Sequence, residues 1–227
     1  MNEIYEYFDM CYVITAPHLT ERHKYIENLF KSYKIDKYKF IYGPYGKDIN
    51  IQEFKTKNLV HKEKMNDDIF KYPIATFLTH KMAWEDMINN KYKNCIFFED
   101  DVYFVDNFKK NFKNFMNNLP NYWSVLNFGW VGPKPIEKKW RHLNEYVYLD
   151  EYFNGGAPFY GLNRKSCSQL IQNSFPLTKA VDGYIGDITN VHTKRKGLIL
   201  FSLSPKEKFA DDRSHGENAL FESTFKP

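Results

Sequence analysis

Cysteine is scarce in this chain: Cys11, Cys95 and Cys167 are the only three, and no CxxC spacing occurs among them. That count argues against a disulfide framework or a zinc site, and buried reduced thiols are expected instead, because Cys11 and Cys95 fall in apolar stretches. Long hydrophobic runs are missing too. No stretch approaches the roughly 18 apolar residues that a membrane-spanning helix needs, and the N-terminal region lacks the basic-then-apolar pattern of a secretory leader. The expectation is a cytoplasmic chain without a transmembrane segment. The basic residues are not gathered into patches either. Their excess over acids is small, 32 against 28 for a net charge of +4, which excludes a nucleic-acid footprint. A mild positive field of this kind still favours an anionic substrate.

Aromatic residues, by contrast, are abundant: 17 Tyr and 20 Phe contribute to an aromatic share of 18%. They can fill a large core or present a stacking surface for a sugar or base. With 227 residues and no internal repeat or low-complexity block, the chain suits a single domain spanning 1–227. The polar tail, 206–227, is its least defined part.

Period-2 and apolar runs predict strands at 10–15, 38–42, 95–98, 124–128, 147–149, 158–162 and 198–203. Helical spacing predicts helices at 21–33, with Thr20 as N-cap, and at 73–89, with core positions Ile74, Phe77, Leu78, Met82, Met87 and Ile88. A further helix capped by Asp106 carries Phe108, Phe112, Phe115, Met116 and Leu119, a stripe read as core. Two more begin near Asn163 or Ser166 and at Val181. Residues 47–71 read as loop with one short helix, and 129–141 as a loop over one end of the sheet. A strand, a helix and a strand in succession open the chain, so a parallel pair with a right-handed crossover is expected. The fold class that follows is α/β: a Rossmann-type, mainly parallel sheet flanked by helices.

The stretch that carries chemistry is Cys95-Ile96-Phe97-Phe98-Glu99-Asp100-Asp101. Four apolar residues read as a strand buried on both faces, and it ends in three adjacent carboxylates. Like charges this close repel, and burial worsens the repulsion. A hard divalent cation such as Mn²⁺ or Mg²⁺ relieves it and commonly bridges carboxylates to phosphates. Ligands of open α/β sheets lie just beyond the carboxyl ends of strands, where these acids stand. The same residues also suit a solvated turn or a helix N-cap, with Asp101 starting a turn before Asp106.

Four blocks, in order, resemble glycosyltransferase family 25, the lipooligosaccharide- and collagen-type β-galactosyltransferases. They are YVITAPHLTERHKYI, ATFLTHKMAWEDMINN with Thr79 in place of the usual Ser, CIFFEDDV, and GGAPFYGLNRKSCSQLI followed by AVDGYIGD. The resemblance covers about residues 10–190 and implies a GT-A-like fold that binds a UDP-sugar with Mn²⁺ or Mg²⁺. It implies Asp101, Glu99 and a late His215 as metal ligands. Thr15, Arg22, His80, Glu99 and Asp100 become donor-binding residues, and Asp182 the catalytic base, with Asp187 or Asp150 as substitutes. For Arg22 the alternative is a surface salt bridge, for His80 a half-buried helix histidine, for Asp182 a plain N-cap, and for His215 an exposed tail residue. The implied activity is transfer of galactose or glucose, with inversion, to a hydroxyl of a glycan, protein or lipid-linked sugar acceptor. Two other classes compete: a nucleotide-sugar-binding module of the same fold without turnover, and a metal-dependent phosphoesterase or nuclease.

Overall fold

Residues 11–15 are all buried in the first strand, β1 (Met10–Thr15), and the rest of the chain is layered around it. In the computed structural model the described residues are 2–61, 63–65, 68–129, 140–150, 153, 156–189, 198, 200–203 and 210–212. Helix α1 (Thr20–Tyr33) carries the chain from β1 to β2 (Tyr38–Tyr42), which lies parallel to β1. A short α2 (Ile51–Thr56) and the long α3 (Lys71–Asn89) then lead to β3 (Asn94–Glu99), parallel to β1 on its other side. This is the predicted parallel opening, with β3 inside the sheet and its acids at the carboxyl edge.

After β3 come β4 (Val102–Phe104), α4 (Phe108–Asn117), β5 (Val125–Asn127), β6 (Trp140–His142) and β7 (Val147–Asp150). They are followed by β8 (Phe159–Asn163), α5 (Arg164–Gln172), α6 (Val181–Thr189), β9 (Leu200–Leu203) and β10 (Ala210–Asp212). The main sheet has the order β2-β1-β3-β8-β5-β9-β7-β6. Strand β8 opposes both β3 and β5, β9 follows β5, β7 opposes β9, and β6 opposes β7. Among the described residues, six of its eight strands therefore point one way, and β8 and β7 are reversed. The α/β class with a mainly parallel sheet is the one the sequence predicts.

Strand alternation divides the interior into two cores. Tyr12, Ile14, Cys95, Phe97, Val125, Tyr160 and Leu162 face α3, α5 and α6, where Phe77, Trp84, Met87, Leu170 and Ile185 meet them. Cys11, Val13, Ile96, Phe98, Leu126 and Phe159 face α1 and α4, meeting Ile26, Phe30, Phe108, Phe112 and Phe115. The phenylalanine stripe of α4 is thus core, as its spacing indicates. All three cysteines are free and buried.

Several boundaries differ from expectation. Asn107, in the left-handed region at φ 63°, precedes α4 in place of an Asp106 cap, and Leu19 rather than Thr20 precedes α1. Met82 is 43% exposed. The buried stripe of α3 instead runs Ile74, Phe77, His80, Trp84, Met87, the spacing of one helical face. The tail holds a strand that was not anticipated, β10, paired antiparallel with β4. Most of the loop read at 129–141 and the residues Asn154 and Gly155 lie outside the described residues. Close approach of α3 to the end of β2 depends on Gly43, where a Cβ would stand 1.6 Å from Thr79 Oγ1. No helix among the described residues is long and apolar enough to cross a membrane.

Candidate active site

The three acids after β3 do not act as one cluster. Glu99 continues the face of Cys95 and Phe97, so it leaves the sheet on the α3 side, while Asp100 and Asp101 turn towards α1. On the α1 side, the Arg22 guanidinium answers both aspartates. Its Nη1 donates to Asp100 Oδ1 and to Asp101 Oδ2, each at 2.8 Å. Arg22 sits on the first turn of α1, and all three side chains are less than one-tenth exposed. Burial alone draws the guanidinium pKa down, but Asp101 and Asp100 outweigh it and hold it above the ordinary value. The surface-bridge reading of Arg22 is therefore excluded.

Thr15, the last residue of β1, extends this network. Its hydroxyl donates to Asp100 Oδ2, and His23 Nε2 lies 2.9 Å from the same hydroxyl and 3.2 Å from the carbonyl of Ala16. A carbonyl only accepts, so His23 carries its proton on Nε2. Asp100 is thereby held at both oxygens. His23 was not singled out from sequence; its position beside Arg22, on the helix entry facing Thr15, is the signal that could have found it.

On the α3 side, His80 is fully buried. Its Nδ1 is 2.7 Å from the hydroxyl of Tyr160, which also accepts from Trp84 Nε1 at 3.0 Å. The other ring nitrogen, Nε2, faces Glu99 Oε1 at 3.5 Å and has no hydrogen-bond partner among the described residues. Burial drives the His80 pKa down to about 3, with Asp182 pulling weakly the other way, so the imidazole is neutral at ordinary pH. Burial likewise keeps Tyr160 a neutral phenol. Neither Tyr160 nor Trp84 is singled out by the sequence as a site residue; the i, i+4 placing of His80 and Trp84 on one helical face is the signal that points to a shared partner.

Asp182, on the first turn of α6, accepts a hydrogen bond from the backbone N–H of Gly156 at 2.9 Å. Gly156 adopts φ 73°, a left-handed conformation that suits glycine. The helix that carries Asp182 packs in the same core as α3. The structure brings most of the expected residues together in two sets. Thr15, Arg22, Asp100 and Asp101 form one; His80 and Glu99 form the other, and Asp182 stands on α6 on that same side of the sheet. His215 lies outside the described residues, as do the contacts of the Asp150 side chain. Asp187 is paired with Lys179 at 2.7 Å instead. An open groove of about 410 Å³ at the start of α3, lined by Lys47, Asn50, Gln52 and Lys71, contains none of the expected residues.

The carboxylate oxygens of Glu99 and Asp101 are the hard donors that Mn²⁺ or Mg²⁺ prefers. Among the described residues, no three His, Cys, Asp or Glu converge on one point, and the positive charge facing Asp100 and Asp101 is that of Arg22.

A layered α/β fold with carboxylates at the strand ends defines a class of ligand-binding enzymes rather than one reaction. The sequence narrows the class. Residues 8–160 match the model of glycosyltransferase family 25, described as an LPS biosynthesis protein family, and the chain belongs to that family. Among solved structures, the chain is similar to a glycosyltransferase involved in the glycosylation of the major capsid of PBCV-1. That likeness has 10% identity and TM-score 0.47, covering 91% of this chain and 94% of the other. It is also similar to A197 from STIV, at 11% identity and TM-score 0.41, over 86% and 81% of the two chains. No curated protein matches the sequence.

Proposed function

We propose that the chain transfers a hexose, galactose or glucose, from a UDP-sugar to a hydroxyl of a glycan, protein or lipid-linked sugar acceptor, with inversion. The observation that carries this reading is the placing of Glu99, Asp100 and Asp101 at the carboxyl end of β3, beside the carboxyl end of β1, in a chain of a glycosyltransferase family. This edge is where an α/β sheet receives a nucleotide.

In this reading Arg22 and Thr15 fix Asp100, and through the shared guanidinium they fix Asp101. Asp101 from the α1 side and Glu99 from the α3 side of the strand end, with His215, would hold Mn²⁺ or Mg²⁺, which would supply charge to screen the diphosphate and stabilise the departing phosphate. Glu99 lines the donor side, and His80 stands buried behind it. Asp182 takes the proton from the acceptor hydroxyl as that oxygen attacks the anomeric carbon opposite the phosphate. Its bond from the Gly156 N–H uses one carboxylate oxygen and orients the other.

The test is UDP release from UDP-galactose and UDP-glucose with Mn²⁺ present, with and without simple glycan acceptors. Metal-dependent UDP release from one of these donors supports the reading. UDP binding without any turnover favours the binding module, and no interaction with UDP or a UDP-sugar removes the nucleotide-sugar reading altogether.

A further inference from the structure

His80 Nε2 is a fully buried nitrogen without a hydrogen-bond partner among the described residues, and it points at Glu99. Such an atom calls for an explanation, and the column behind it supplies one. Trp84 Nε1 can only donate, so it takes a lone pair of the Tyr160 oxygen. The phenol proton of Tyr160, also fully buried, then needs an acceptor, and His80 Nδ1 stands 2.7 Å away. If Nδ1 carried the proton instead, the phenol hydrogen would have no acceptor there. The bare lone pair of Nε2 would also face a carboxylate oxygen at 3.5 Å. Both faults disappear when Tyr160 donates to Nδ1 and the proton of the neutral ring sits on Nε2.

We propose that Trp84, Tyr160 and His80 form a positioning column that presents a buried N–H to Glu99, fixing its carboxylate at the sheet edge for the sugar-nucleotide donor. The three rings come from two elements, α3 and β8, that pack on the same face of the sheet. The reversal of β8 against β3 places Tyr160 across from Phe97, two residues before Glu99, so the hydroxyl rises beneath the carboxylate. Trp84 and Tyr160 are too deep to touch a ligand. They act through His80, and His80 acts through Glu99, so all three are positioning residues.

The structural half of this proposal is independent of the reaction. Its kinetic half rests on the reading of Glu99 as a donor-site carboxylate. In the wild-type protein, nitrogen-15 NMR of the histidine rings, with His80 assigned by comparison with His80→Gln, is expected to show the proton on Nε2. Tyr160→Phe, which removes only the hydroxyl and leaves Glu99 alone to favour Nε2, is expected to weaken that preference while the fold persists. A proton on Nδ1 in the wild type, or an unchanged tautomer in Tyr160→Phe, overturns the column. For function, UDP affinity by calorimetry and donor KM are measured on Tyr160→Phe, His80→Leu and His80→Gln. Tyr160→Phe and His80→Leu are expected to weaken donor binding about 10-fold, the scale of one hydrogen bond to a charged group, with a smaller change in kcat. His80→Gln, whose amide can place an N–H near the position of Nε2, is expected to retain most of the affinity. A tautomer that shifts while UDP affinity and KM stay unchanged overturns the positioning role. Absence of any UDP binding in the wild type instead removes the donor reading and leaves the NMR result to judge the column alone.

Discussion

Arg22 Nη1 lies 2.8 Å from Asp101 Oδ2, in an ion pair whose side chains are only 7% and 9% exposed. Asp100 shares the same nitrogen at the same distance, so one guanidinium holds two adjacent carboxylates of the acidic turn. A surface pair contributes about 0–1 kcal/mol, but removing one partner of a buried pair leaves charge stranded and costs about 3–5 kcal/mol.

Arg22→Met is therefore expected to lower folding stability by about 3–5 kcal/mol, read from the denaturant midpoint. Arg22→Lys should lose less, because a single nitrogen makes both contacts and an ammonium can take its place. A loss below about 1 kcal/mol for Arg22→Met would mean that the pair behaves like an exposed one.

Asp182→Asn keeps the size of the side chain and the acceptor for the Gly156 N–H, but it cannot take a proton. Transfer should fall by about 10²- to 10⁴-fold, the usual contribution of a positioned base, with UDP affinity and melting temperature nearly unchanged. If Asp182 only fixes Gly156, the variant will show near-normal transfer, and the base must be sought elsewhere.

Burial pushes the Cys11 thiol pKa up to about 12, with Tyr5 opposing weakly, and raises those of Cys95 and Cys167 as well. The sign follows from proton binding. Above pH 9 the unfolded chain loses thiol protons that the folded chain keeps, so these groups make stability fall as pH rises from about 9 to 12. Below about pH 9 they leave it flat. Urea midpoints across pH 8–11 check the slope, and Cys11→Ala should make it shallower. In the native protein at pH 8, all three thiols should resist a thiol-reactive dye that labels them quickly once the chain is unfolded.

Much of this was legible in the sequence where local pattern decides structure. The run Cys95 to Phe98 announces an interior strand, and the spacing from Phe108 to Met116 announces a core helix. Contacts between distant residues were not legible. Arg22 looks like a surface residue until the fold brings it to Asp100, 78 positions away, and no local signal gives its burial. Tyr160 reads as one more aromatic in an apolar strand, because its role depends on the register that sets it opposite Phe97. On α3 a polar His80 occupies the buried stripe where Met82 was expected, since hydrophobicity alone cannot anticipate a satisfied polar column. Strands β4 and β10 hold three residues each, too few for a period to show. The two acid sets likewise follow from strand alternation combined with helix placement, and only the first of these can be read from sequence.

The proposed site takes a nucleotide-sugar at the carboxyl edge of β1 and β3, with a divalent cation on the acidic turn. The most direct measurement is a crystal structure with UDP and Mn²⁺, paired with calorimetry of UDP binding to wild type and Asp101→Ala. The account predicts Mn²⁺ on Asp101, the diphosphate beside it, and UDP binding weakened by about 1.5–3 kcal/mol in Asp101→Ala, the scale of a lost bond to a charged group. UDP seated elsewhere, such as the groove between Lys47 and Lys71, with Asp101→Ala binding it as well as wild type, would contradict the account.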